Sequence, residues 1–356
     1  MTAINSRQKL YLLQTDIAGA FDRVDRKQLI SRLSEAGVRG RLYTLLKSYL
    51  TGRSFHVRIN GSCSPNFPLD IGVVQGSGLG PVMWNIYFAP VFDATGQNGI
   101  GFADDLNLMA TNDAHLQDIK RRVLDFCESA RITMEPSKEH TTVFYPPRHP
   151  ERRDQEDTRL VGIQIDSNLN MEAHIKKVIQ GARVARRQII RMKPYCNASQ
   201  LQTMYKTMIW SRLEVGSVCV SHANETHLQK LENFQNSSLR MLGLTSNPLD
   251  SLSIRRKTAH ATMLYKQSVL CQGPNYIRKT FPINNDDSRS HLRRTATEKH
   301  PYQLKMPYSR NSLQKFNKFC SPIKTFNDLP CDTFPNTPNI CELKKKMCAS
   351  FPTPIN

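Results

Sequence analysis

The chain has 356 residues, enough to bury a core in one large domain or in two to three smaller ones. Its 49 Lys and Arg outweigh 30 Asp and Glu, a formal net charge of +19 that sets it apart from an ordinary cytosolic enzyme. The surplus either keeps the surface soluble or meets a polyanion, since each cation set against a phosphate releases a condensed counterion. Nine cysteines, an odd number without any Cys-x-x-Cys, exclude a disulfide framework and read as free thiols in a reducing compartment.

Tyr11 to Thr15 is a short, mostly apolar run that predicts a buried strand delivering Asp16 at its tip. Helices are expected over Arg26 to Glu35 and Arg39 to Tyr49, closed by Gly37 and Gly52. Ser54 to Asn60 alternates, with Phe55, Val57 and Ile59 on one face, and Asn60-Gly61 predicts a hairpin turn. Pro81 opens a long apolar helix over Val82 to Phe92. Ile100 to Ala110 reads as a hairpin turning at Asp104-Asp105, followed by an amphipathic helix over Ala114 to Ala130 with Leu116, Ile119, Val123, Leu124 and Cys127 on its apolar side. Thr141 to Tyr145 and Leu160 to Ile165 are further strands, and the charged, proline-punctuated segment between them is an exposed loop.

From Met171 the texture turns helical. Ile175, Val178, Ile179, Ala182, Ala185 and Ile189 form one stripe, Leu201, Met204, Met208 and Trp210 begin a second, and Leu228, Leu231 and Phe234 a third. Arg183, Arg186, Arg187 and Arg191 on the polar side of the first are either a solvated face or a phosphate track. Beyond Leu244 the signals weaken, and Gly273-Pro274, Asn284-Asn285 and several later prolines predict a loosely ordered, basic C-terminal region with short helices. The last four cysteines of the chain, with His291 and His300, fit no standard zinc-finger spacing. There is no long apolar run and the opening residues are polar, so an intracellular chain is expected, nuclear or cytoplasmic, with no membrane contact and no secretion.

Three carboxylates stand out as potential chemistry. Two carboxylates about 4 Å apart repel by roughly 4 kcal/mol at an effective dielectric of 20. Such a pair takes up a proton or a cation. Asp16 and the Asp104-Asp105 pair supply such a cluster if their strands are neighbours, and magnesium takes hard oxygen ligands of this kind. Gly76, Gly78 and Gly80 do not make a dinucleotide fingerprint, because Pro81 stands where the third glycine belongs. They read instead as a tight turn running into a helix N-terminus, where free amides meet a nucleotide or template.

Asp16-Ile-Ala-Gly-Ala-Phe21-Asp22, the run GVVQGSGLGPVMWNIYF from Gly72 to Phe88, and Phe102-Ala103-Asp104-Asp105, in that order, resemble the palm of a reverse transcriptase. The nearest kind is that of non-LTR (LINE-like) retrotransposons. The resemblance implies an α+β fold: a polymerase palm with an antiparallel sheet, packed helices and incomplete fingers over residues 1–170, a helical thumb over 171–245, and the C-terminal region over 246–356. It implies an RNA-directed DNA polymerase using two Mg²⁺ ions, or Mn²⁺, to extend a DNA primer on an RNA template with dNTPs.

The same resemblance makes Asp16 and Asp104 metal ligands and Asp105 a less direct one. Phe21 falls where the family has its steric gate against a ribose 2′-hydroxyl, although an ordinary core aromatic would read the same way. Gln75, Gly76 and Ser77, with Phe102, fall at the nucleotide and template contacts. Lys138 corresponds to a lysine that protonates pyrophosphate, with Glu135 where relatives commonly have asparagine; a surface lysine is the plain alternative. Leu160 and Gly162 correspond to the primer grip, and Thr325 to Pro330 matches a short tract of retrotransposon polyproteins. Asp16 lies near the first residue, so fingers strands and an endonuclease are expected upstream in a longer polyprotein. The competing expectation is a catalytically inactive nucleic-acid-binding remnant that lacks the fingers.

Overall fold

The computed structural model describes residues 8–146, 149–151, 157–166, 169–221, 223–244, 251–272, 282–283, 302–305, 322–335 and 339–351. The chain divides into two compact units, Met1–Glu156 and Asp157–Asn356. Antiparallel strands and packed helices make the fold α+β, as expected.

In the first unit, β1 (Leu10–Ala18) buries Leu12, Leu13, Thr15 and Ile17. It runs two residues past Asp16, so that carboxylate sits inside the strand rather than at its tip. α1 (Arg26–Glu35) starts at Asp25, whose side chain accepts from the Gln28 amide. It stops at Gly37, where φ is +88° and the Val38 amide reaches back to the Leu33 carbonyl. α2 (Gly40–Leu50) follows.

The expected strand over Ser54 to Asn60 is broken into β2 (Ser54–Phe55) and β3 (Arg58–Ile59). They pair with β5 (Phe67–Pro68) and β4 (Ser62–Cys63) respectively. Asn60 and Gly61 both take left-handed φ, +48° and +88°, as a type I′ turn requires. Phe55, Val57 and Ile59 are all exposed, so the alternation marks no buried face. What it reflects is a two-stranded ribbon joined by cross-strand pairs such as Phe55 with Phe67.

The expected helix over Val82 to Phe92 is split into α3 (Gly80–Phe88) and α4 (Val91–Thr95). Pro90 has no amide to continue the ladder, and this interrupts it. β6 (Gly99–Phe102) and β7 (Asp105–Ala110) form the next hairpin, with Ala103 and Asp104 as its turn. Asp105 therefore belongs to a strand. α5 (Asp113–Ser129) is capped by Asn112 and buries Leu116, Ile119, Val123 and Cys127, while Leu124 stays exposed. β8 (Thr133–Met134) and β9 (His140–Phe144) complete the sheet, in which β7 lies against one side of β1 and β8 and β9 both pair with β1. Leu13, Ile17, Leu29, Trp84, Leu106 and Ile119 belong to the single core these elements enclose. Most of the loop expected after Tyr145 lies outside the described residues.

The second unit opens with β10 (Thr158–Leu160) and β11 (Ile163–Ile165). A single strand was expected here, but Val161 and Gly162, at φ +46° and +82°, fold it into a hairpin. α6 (Glu172–Met192) buries the predicted stripe except for the half-buried Val178, and also buries His174, whose ring bonds the Gln164 amide and the Val215 carbonyl. Arg186 departs from the other arginines of α6. Its guanidinium lies 4.5 Å from the Phe234 ring centroid and donates to Ser237 and Ser238, leaving Arg183, Arg187 and Arg191 on the exposed side.

α7 (Ala198–Met204), a π-helical turn over Tyr205–Trp210, α8 (Ser211–Leu213), α9 (Ser217–Val220) and α10 (Glu225–Leu242) complete this bundle. α11 (Leu252–Ser268) and α12 (Ile340–Ser350) stand where short helices were expected, and α11 runs for 17 residues. With Phe326 and Leu329 they form another apolar cluster. The Thr325–Pro330 tract earns its place there, because the Asn327 amide pairs with both backbone groups of Leu304 at 2.9 Å. Gly273-Pro274, Asn284-Asn285, His291, His300 and Cys320 lie outside the described residues. No described helix is long and apolar enough to cross a membrane.

Candidate active site

Antiparallel register sets Asp16 of β1 directly opposite Asp105 of β7. Asp104 adjoins them in the hairpin turn, and its carbonyl accepts from the Ile17 amide at 3.2 Å. Three carboxylate residues thus meet at one place on the sheet. Asp16 and Asp104 are half-buried and Asp105 is exposed. Partial burial, then the charges of Asp104 and Asp16, hold the Asp105 carboxyl above its usual range, and Lys138 partly offsets them.

The turn itself is under tension. Ala103 takes φ +54° while Asp104 is not among the positive-φ residues, the pattern of a type II′ turn whose first central position normally takes glycine. The Trp84 indole donates from Nε1 to the Ala103 carbonyl at 2.8 Å and holds the turn in place. Trp84 is almost wholly buried and stacks on Phe88 at 5.0 Å. Phe21 packs on the same indole, with centroids 5.8 Å apart, and is half-buried. Trp84 therefore links the Phe21 position to the carboxylate turn.

The glycine segment lies along the residues after β1. The Val73 amide donates to the Phe21 carbonyl and the Gly72 amide to the Val24 carbonyl, both at 2.8 Å. Gly72 has φ +79°, and a Cβ there would stand 2.8 Å from the Asp22 carbonyl oxygen. Only glycine permits that approach. Gln75 donates from Nε2 to the Asp22 carboxylate at 2.7 Å and is otherwise exposed. Gly76, at φ +79°, has open space where a side chain would be, and the Ser77 hydroxyl accepts from the Leu79 amide at the start of α3. Phe102, on β6 opposite Asp105, is 61% exposed.

Lys138 stands in a short 3₁₀ turn, Pro136–Lys138, and its ammonium bonds the Asp16 Oδ2 directly. That hydrogen bond, followed by the Asp16 charge, raises the lysine above its ordinary range. A cation already answers the carboxylate cluster, then, in the form of a side chain. The donor set is hard, anionic and self-repelling, which suits a divalent cation. Among the described residues, however, no three acidic, Cys or His groups are gathered closely enough to hold a metal as they stand. Leu160 and Gly162 belong to the second unit, in the β10–β11 hairpin, with Gly162 in its turn.

Three residues take positioning roles that the sequence did not specify. Asp22 carries Gln75, and Trp84 carries the Ala103 turn. Arg26 is buried, and its guanidinium ties the Gly72, Leu50 and Leu69 carbonyls together; burial lowers its pKa, with nearby Arg53 adding to the effect. An arginine beside an N-cap aspartate gives no sequence signal that it will turn inward.

Residues 2–245 match the family described as reverse transcriptase (RNA-dependent DNA polymerase). The chain is 26% identical over 265 residues to the "Probable RNA-directed DNA polymerase from transposon X-element" of Drosophila melanogaster, covering 68% of this chain and 29% of that protein. It is 24% identical over 331 residues to the RNA-directed DNA polymerase from mobile element jockey of the same species, covering 81% of this chain and 36% of that protein. The chain thus spans about a third of the length of these relatives. Among solved structures, a telomerase from Candida tropicalis, in complex with a TWJ fragment of telomeric RNA, aligns over 76% of this chain and 49% of its own at 10% identity and a TM-score of 0.39, too low to bear on function. Matched over more than two thirds of its length, and related to the enzymes of non-LTR retrotransposons, the chain belongs to the reverse transcriptase family.

Proposed function

We propose that the first unit is the palm of an RNA-directed DNA polymerase that extends a DNA primer 3′-hydroxyl on an RNA template with dNTPs. The family implies a nucleic-acid template and is generally metal-dependent. The observation that carries this reading is the convergence of Asp16, Asp104 and Asp105 where β1 meets the β6–β7 hairpin.

Asp16 and Asp104, with Asp105 less directly, are the residues to hold two Mg²⁺ ions, or Mn²⁺ in their place. Bound there, such ions lower the pKa of the attacking hydroxyl and stabilise charge on the transferring phosphorus. Trp84 keeps the turn bearing Asp104 fixed against Asp16, so little reorganisation is needed when substrate arrives. Lys138, released from Asp16, carries the proton for the pyrophosphate leaving group. Phe21 packs under the sugar and excludes a 2′-hydroxyl, while Gln75, oriented by Asp22, meets the incoming nucleotide with Gly76, Ser77 and Phe102. Leu160 and Gly162 grip the primer, the helices of 171–245 act as thumb, and 246–356 forms a further C-terminal region. The greater length of the relatives supports fingers and an endonuclease in a longer polyprotein.

Primer extension on an RNA template with Mg²⁺ tests the reading, comparing the chain with its Asp104→Ala variant. Loss of a metal-holding carboxylate is expected to lower the rate by at least about 10²-fold. Salt-dependent RNA binding with no extension by either protein refutes catalysis and leaves a nucleic-acid-binding remnant.

A further inference from the structure

Lys138 is held over Asp16 by the fold rather than left to wander on the surface. The segment that carries it joins β8 to β9, and both strands pair with β1 around Asp16: Met134 opposite Ile17 on one side, His140 opposite Gln14 on the other. Between those anchors the Glu135 amide donates to the Asp16 carbonyl at 2.9 Å, and the Lys138 amide donates back to the Glu135 carbonyl at 3.1 Å. The neighbouring carboxylates are already engaged. Glu139 bonds Lys120 of α5 at 2.5 Å, and Glu135 accepts from the Ser137 hydroxyl at 2.8 Å. The Lys138 ammonium lies on Asp16 Oδ2.

The two partners differ in freedom. The Asp16 side chain is only 14% exposed and sits in a paired strand, whereas that of Lys138 is 63% exposed. The carboxylate cannot leave without breaking the sheet, but the ammonium, on a flexible four-carbon stem, can swing into water. Asp16 also faces Asp105 across the ladder with Asp104 beside it, and like charges so placed disfavour an unanswered carboxylate. One cation eases that repulsion. The same Oδ2 is a hard oxygen donor for a divalent ion. An ammonium and a divalent ion on one oxygen repel each other, so they occupy it in turn.

On the polymerase reading of Asp16 and Asp104, on which this rests, we propose that Lys138 is a built-in counter-ion that competes with divalent metal for Asp16. It keeps the acidic cluster assembled in the metal-free chain and sets the concentration at which metal enters. A pair favoured about fivefold leaves Asp16 open about one sixth of the time, and the apparent metal affinity falls by the same factor. Lys138 becomes available to a leaving group only once metal has taken its place, which orders metal entry before proton delivery.

Free Mn²⁺, measured by electron paramagnetic resonance as the full chain is titrated without nucleotide or nucleic acid, reads the competition directly. K138Q is expected to bind Mn²⁺ about sixfold more tightly than wild type. K138R, which can still pair with Asp16, should stay near wild type. So should R23Q, which removes a charge just beyond the same end of β1, where the guanidinium bonds Thr133. Thermal denaturation is the second readout. In EDTA K138Q should melt about 2–4 °C below wild type, and saturating Mg²⁺ should close that gap, because the lysine is displaced in both. K138M gives the same readings should K138Q fold poorly. Equal Mn²⁺ affinity in wild type and K138Q, an equal tightening in R23Q, or a Tm gap of the same size with and without Mg²⁺ overturns the proposal. Mn²⁺ binding that survives Asp104→Ala refutes the metal site and the counter-ion together, whereas Asp104-dependent binding unchanged by K138Q refutes the counter-ion alone.

Discussion

Trp84→Phe isolates the bond that holds the carboxylate turn. It keeps an aromatic ring against Phe88 and Phe21 but removes the indole N–H that reaches the Ala103 carbonyl at 2.8 Å. Ala103 is exposed, so water can take over its carbonyl, and the loss sits near the low end for a hydrogen bond, about 1 kcal/mol. Shrinking a buried ring adds about 1 kcal/mol of lost packing. The total, about 2 kcal/mol, is affordable for a domain stable by roughly 5–15 kcal/mol and lowers Tm by about 4–8 °C. The local consequence is larger in kind. Ala103 pays about 1–2 kcal/mol for its left-handed backbone, and the indole bond is of the same size as that strain. Without it the turn relaxes part of the time and Asp104 leaves its place beside Asp16. Primer extension well below Tm is expected to slow about fivefold, the equivalent of 1 kcal/mol, with KM for primer–template unchanged. Thermal denaturation and single-turnover extension measure the two effects. A stability loss of the expected size with an unchanged extension rate would show that Trp84 is only core packing.

Gly72→Ala places a Cβ 2.8 Å from the Asp22 carbonyl oxygen at φ +79°, so it should cost about 2–4 kcal/mol in urea denaturation; a cost below roughly 0.5 kcal/mol refutes the close-approach argument. Cys127 is buried and its thiol is pushed up to about 11, whereas Cys63 is exposed. At pH 8 iodoacetamide should label Cys63 in the native protein and Cys127 only on unfolding, as peptide mass mapping reads directly. Because the folded thiol titrates above its ordinary value, the stability it contributes is present below that value and is lost as pH rises through about 11. Denaturation midpoints of Cys127→Ala should therefore fall less steeply than wild type above pH 9, and parallel curves would disprove the linkage.

The local signals in the chain determined a good deal. Apolar periodicity and cap residues located α1 and α5 to within a residue or so, because those helices bury one continuous stripe. Asn60-Gly61 announced a type I′ turn, because few other pairs take left-handed φ twice in succession. The three motifs, by their order, already implied the family to which the chain belongs. Where neighbours compete, the sequence was mute. Alternation at Phe55, Val57 and Ile59 looks the same whether or not a core lies beneath, and here none does. Arg186 shares its helical stripe with Arg183 and Arg187, yet Phe234 and two serines draw it inward. Register is the deepest such case. Which residue faces Asp16 is set by strand pairing across nearly ninety residues of intervening chain, and only the folded sheet could place Asp105 there, Lys138 on the Asp16 carboxylate and Trp84 behind the Ala103-Asp104 turn.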